Sequence, residues 1–159
     1  MLDLVRTYNL IKNSGILANV RLISQNEKSI KLQGELDYGL FVSIADIEVL
    51  YYGDVRMLFS LGDRENSKNN KKYDDAEMDF MWMLNTYINT HNGLFIFSSF
   101  TYNGKPQIAL CFNDLNVIRN NTSPEKVLNA IRIAYDWITM SDDVSSGFRK
   151  LGYTLNRKI

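Results

Sequence analysis

Cysteine and histidine are almost missing from this chain, whose 159 residues contain one of each, Cys111 and His91. A lone cysteine closes no internal disulfide, so the fold needs no oxidising environment and a reducing, cytoplasmic setting is the expectation. A lone histidine with no Cys-x-x-Cys, His-x-x-x-His or His-Glu companion leaves no zinc-ligand set. Net charge is missing as well. The 18 basic and 18 acidic side chains cancel, so no global field recruits nucleic acid or an anionic membrane. No apolar run approaches the roughly 18 residues of a membrane helix. Residues 1–13 carry Asp3, Arg6 and Lys12 and lack the charged-then-apolar order of a secretion signal. The glycines form neither Gly-x-x-x-x-Gly-Lys nor Gly-x-Gly-x-x-Gly, which removes the usual phosphate-cradling loops. Internal repeats and low-complexity tracts are also lacking.

What is present is ordinary core material: 45% hydrophobic and 12% aromatic residues. A chain of this length buries about 70% of its unfolded surface in one domain, so residues 1–159 are read as a single unit without staples. The clearest local signal lies between residues 93 and 140. Two runs rich in β-branched and aromatic residues, Leu94 to Tyr102 and Pro106 to Phe112, flank Asn103-Gly104, the pair best suited to the positive φ angles of a type I′ hairpin turn. Thr122-Ser123-Pro124-Glu125 then supplies a hydroxyl cap, a proline that loses nothing in the first turn, and a carboxylate near the positive helix end.

Apolar Leu4, Val5, Tyr8 and Ile11 recur with helical spacing, and Asn13-Ser14-Gly15 ends that helix. From Ile16 the period becomes two, giving a hairpin across Gln25-Asn26-Glu27, a further strand near Phe41 to Ile44, and one or two more over 47–61. Residues 62–75 contain no aliphatic side chain and read as a mobile loop. Phe80, Met81, Leu84, Tyr87 and Ile88 form a helix face closed by Asn92-Gly93. Val127, Leu128, Ile131, Tyr135 and Ile138 form another, and Ala130, Ile133, Ala134 and Trp137 make that helix apolar on a second side. A final short helix follows Ser141-Asp142-Asp143, with a frayed tail from about 152. The expectation is an α+β fold, an antiparallel sheet covered by helices in the order α-β(3-5)-α-β-β-α-α.

Candidate chemistry is sparse. His91 sits at a helix end where a cation suits the dipole, and Cys111 sits between Leu110 and Phe112 in a strand as a small core hydrophobe. No catalytic residue, cofactor site or metal site is therefore assigned. Asp74, Asp75, Glu77 and Asp79 cluster as a divalent-metal site would require, though acidic residues at a helix start also serve cap and dipole. A metal-dependent hydrolase or nuclease using them is one alternative reading. Met78 and Trp82 stand on the side of their helix away from its main stripe, and Trp137 belongs to the second stripe of the next helix. Each is either core or interface, and the interface reading makes them the candidate protein-contact residues.

Over residues 1 to 140 the order helix, antiparallel strands, helix, hairpin, helix resembles the type III secretion chaperone-like fold, and specifically the bacterial YbjN-type proteins. The likeness is densest from Gly93 to Ile138, through the strand Gln107 to Phe112 and the capped helix at Thr122-Ser123-Pro124-Glu125. That resemblance implies a non-enzymatic domain that forms homodimers and binds segments of other proteins. The chain departs from the secretion chaperones in its neutral charge, its lysine-asparagine loop and its extra C-terminal helix, and no functional residue carries over by position. The expected function is a chaperone-like or regulatory protein-binding module, homodimeric and cytoplasmic. A phage or mobile-element protein that inhibits a host enzyme is a further alternative, suggested by small size and Asn/Lys/Tyr-rich composition.

Overall fold

Glycine at position 15 is where helical and extended periods part. It adopts φ +72°, the left-handed cap that stops α1 (Leu4–Ser14), while Asp3 at the other end accepts a hydrogen bond from the Arg6 N–H at 3.0 Å. These are the two orphan-group solutions that the sequence pattern requires. The computed structural model describes residues 1–65, 71–91, 94–112, 122–139 and 142–158.

Four strands follow α1: β1 (Ala18–Gln25), β2 (Ser29–Tyr38), β3 (Phe41–Leu50) and β4 (Val55–Asp63). The runs expected near 41–44 and 47–51 are one continuous strand, β3. The helix α2 (Lys71–His91) precedes the hairpin β5 (Phe95–Tyr102) and β6 (Lys105–Phe112), and α3 (Pro124–Thr139), α4 (Asp142–Lys150) and a two-residue β7 (Thr154–Leu155) complete the chain. At the hairpin turn Asn103 and Gly104 both have positive φ, +50° and +74°, as a type I′ turn demands. Ser123 caps α3 by accepting from the Lys126 N–H at 3.2 Å.

The sheet is antiparallel throughout, in the order β1-β2-β3-β4-β6-β5 with β7 added to β4. Register sorts the side chains: Leu32 opposes Ile47, Ile47 opposes Met57, Phe59 opposes Leu110 and Leu110 opposes Phe97. All of these join Ile11 of α1, Leu84 and Ile88 of α2, Val127 and Ile131 of α3 and Phe148 of α4 in one core. The fold class is thus α+β, with four helices among the described residues over an antiparallel sheet.

Two sequence expectations change and one open alternative closes. Gly62 and Asp63 end β4 and residues 71–75 begin α2, so the expected loop at 62–75 shrinks at both ends, and its residues 66–70 lie outside the described residues. The tail expected to fray from 152 is instead strand-paired through Gly62↔Leu155 and Asp63↔Thr154. The second side of α3, open between core and partner in the sequence, is covered from inside the chain: α1 packs on α3, tied at the surface by an Arg6–Glu125 ion pair, and α4 packs on α3 as well.

Candidate interaction surface

Helix α2 carries the surface that stands out. Its inward face is set by Leu84 and Ile88, both buried, whereas Met78 and Trp82 are 70% and 72% exposed. One turn apart, these two project from the same side of the helix. Met83 and Tyr87, also exposed, form a second apolar flank, separated from the first by Asp75, Asp79, Thr86 and Thr90 on the solvent ridge. Adjacent large apolar side chains held in water are the kind of patch that marks interaction sites.

Trp137 does not belong to this surface. It is buried, with Tyr87 packed edge-on at 5.8 Å and His91 edge-on at 6.4 Å. The expectation that it serves as an interface anchor is corrected: two aromatic rings from α2 lean over it and turn it into a helix–helix contact. Sequence pattern could not supply this, because the second stripe of α3 looks the same whether its cover comes from the same chain or another.

His91 closes α2. Its Nδ1 lies 2.8 Å from the Tyr87 carbonyl oxygen, and its ring stacks on Tyr87 at 4.1 Å. Cys111 pairs with Leu58 and Ile96 across the sheet, on the face opposite the helices, so the sheet separates it from His91. Partial burial pushes the Cys111 thiol up, which favours the un-ionised form.

The acidic cluster divides. Asp74, Asp75 and Asp79 point to solvent, while Glu77 is buried. Among the described residues no three His, Cys, Asp or Glu side chains converge as metal ligands would. Glu77 has a different task. Its carboxylate lies 3.5 Å from the Arg64 Nη2 and accepts a hydrogen bond from the Tyr153 hydroxyl. Arg64 is itself buried, donates from Nη1 to the Leu151 carbonyl at 3.1 Å, and lies between the rings of Tyr73 and Tyr153. Burial and the Glu77 carboxylate hold the Tyr153 hydroxyl well above its ordinary range. This network ties the end of β4 to the start of α2 and to the turn after α4. A buried charge survives only with such a partner.

The helix-free face of the sheet is mixed. Ile96, Cys111, Leu58, Asp46, Gln33 and Arg21 form one cross-strand row, and Arg56, Glu48 and Lys31 another. Lys31 and Glu48 pair at 3.7 Å. A shallow depression of about 420 Å³ there is bordered by both signs of charge, which gives no anion or cation a net pull.

No protein-family model, curated protein or solved structure matches this chain. No described helix is long and apolar enough to cross a membrane.

Proposed function

We propose that this chain is a non-enzymatic protein-binding module of chaperone-like type that self-associates through the exposed apolar side of α2. The observation that carries this reading is the exposure of Met78 and Trp82 side by side on a helix whose opposite face is fully committed to the core. Tryptophan and methionine are enriched where proteins meet, and aromatic anchors in such patches dominate binding energy. Met83 and Tyr87 are exposed too, on a separate flank across the polar ridge. With Trp137 covered internally, self-association rests on α2 alone. The single cysteine, held as a thiol in a strand, suits a cytoplasmic location.

Sedimentation velocity of the full chain from low to high micromolar concentration tests the reading. A concentration-dependent dimer that Trp82→Ala weakens supports it. A strictly monomeric wild-type protein at high micromolar concentration overturns it.

A further inference from the structure

Where β3 and β4 part company, the C-terminal segment fills the space. The two strands pair from Val49↔Val55 to Ile44↔Ser60, and beyond that residues 154–158 run between them. The Val42 N–H donates to the Asn156 carbonyl at 2.9 Å, the Asn156 N–H to the Leu61 carbonyl at 2.9 Å, and the Lys158 N–H to the Leu40 carbonyl at 3.3 Å. Arg157 bridges to Phe41. We propose that this slot is a strand-accepting site, and that the module's partner is an extended segment with the tail's own pattern of leucine, amide and two basic residues. The chain's own residues 154–158 then act as a competing ligand held in cis. The proposal deepens the protein-binding reading above and rests on it.

Four features make the slot a recognition site and not merely the end of a sheet. First, β-strand addition takes its affinity from main-chain hydrogen bonds, and the slot presents backbone groups of both flanking strands. Second, it is shaped for a backbone: a Cβ at Gly62 would stand 2.2 Å from the Thr154 carbonyl oxygen and 2.9 Å from the Leu155 Cα. Any side chain larger than glycine's hydrogen closes it. Third, it reads side chains. Leu155 is buried, the Asn156 Nδ2 donates to the Ser60 carbonyl at 3.2 Å, and the Lys158 Nζ pairs with Asp37 at 3.4 Å. A groove of about 500 Å³ along the segment adds Glu35 beside Asp37, opposite Arg157 and Lys158, so acidic walls face basic residues. Fourth, the segment has a single buried apolar anchor. Apart from Leu155 it buries little, since Thr154, Arg157 and Lys158 are exposed. Segments with few buried apolar contacts open at free energies well below global unfolding. The anchor that stays behind is Tyr153 on Glu77, and Gly152 at φ +87° forms the turn between helix and tail.

The test uses the full chain with Leu155→Ser and Asn156→Pro, which removes the buried anchor and the N–H bonded to Leu61. A fluorescein-labelled peptide of the sequence Tyr-Thr-Leu-Asn-Arg-Lys is titrated and followed by anisotropy. It should bind this variant saturably and at least about tenfold tighter than wild type, whose tethered tail competes at an effective concentration on the order of millimolar. Adding Gly62→Val should abolish binding, and Asp37→Asn should weaken it. Absence of saturable binding by a variant with native circular dichroism overturns the proposal, as does binding that survives Gly62→Val. If the variant fails to fold, native-state hydrogen exchange of the wild type decides. Shared, early opening of the Val42, Asn156 and Lys158 amides relative to Ile47 and Phe59 supports the slot, and exchange only through global unfolding overturns it. Trp82→Ala leaves all of these readouts unchanged, so a failure here and a failure of the α2 surface are separable.

Discussion

Asn85 of α2 occupies the place of a missing strand beside Phe97 of β5. Its Oδ1 accepts from the Phe97 N–H at 2.7 Å and its Nδ2 donates to the Phe97 carbonyl at 3.0 Å. Since β5 is the last strand of the sheet among the described residues, these two backbone groups would otherwise point off an open edge. A primary amide presents the same donor and acceptor pair as a peptide group, so one side chain reproduces one rung of a ladder. Edges left bare invite pairing with other chains.

Asn85→Leu should accordingly lower stability by about 1–3 kcal/mol, the range for stranding buried backbone donors and acceptors. It should also raise the aggregation rate near the unfolding midpoint. Urea denaturation and light scattering measure the two effects. An unchanged midpoint would mean that the rung contributes nothing.

The parts of the fold that could be read from sequence are those decided within a few residues. Asn103-Gly104 specifies its turn by φ alone, and Ser123-Pro124 specifies a helix start by its own hydroxyl and missing N–H. The α2 surface was half legible: the spacing of Met78 and Trp82 put them off the main stripe, but only packing decides whether a wide stripe is covered. Asn85, Arg64 and Glu77 carried no readable signal. Their partners lie on other elements, at Phe97, Leu151 and Tyr153, and a polar residue in a helix looks solvated until its neighbour is known. The segment Thr154 to Lys158 shows no alternation of apolar residues, and only its pairing with two flanking strands makes it extended.

Glu77 and Arg64 should behave as a unit. Glu77→Leu alone leaves a buried guanidinium facing a hydrocarbon, and losses of about 3–5 kcal/mol are typical when one member of a buried pair is removed. Combining it with Arg64→Met removes both charges, and the double variant should recover a large part of that loss, because matched apolar replacements of buried pairs are often near neutral. A thermal-unfolding double-mutant cycle checks this. Strict additivity would show that the two side chains are not coupled.

Tyr38 predicts how stability responds to alkali. Burial pushes its hydroxyl up from 10.0 to about 12, so between those values the unfolded chain releases a proton that the folded chain keeps. The folded state then binds more protons, and stability falls as pH rises. The contribution is fully present below pH 10 and is lost progressively as pH rises from 10 to about 12. Chemical denaturation at pH 8, 10 and 11.5 should show this decline, and Tyr38→Phe should flatten it. Tyr153 shifts in the same direction, so a residual slope in Tyr38→Phe is expected, whereas an undiminished slope would remove Tyr38 from the account.

The two tryptophans should part company under substitution. Trp82 is 72% exposed and Trp137 8%, so truncating the first removes no core contact and truncating the second opens a cavity beneath Tyr87 and His91. Trp82→Ala should leave the unfolding midpoint within about 0.5 kcal/mol of wild type, as surface changes usually do, while shifting sedimentation toward monomer by the 2 kcal/mol or so of an aromatic anchor. Trp137→Ala should lower stability by about 3–5 kcal/mol. Because the Trp137 Nε1 is buried with no hydrogen-bond partner among the described residues, Trp137→Phe forfeits chiefly volume and should cost well under half as much as the alanine change. If Trp82→Ala destabilised the monomer as severely as Trp137→Ala while leaving sedimentation unchanged, the exposed side of α2 would be a folding surface and the proposed self-association would lose its site.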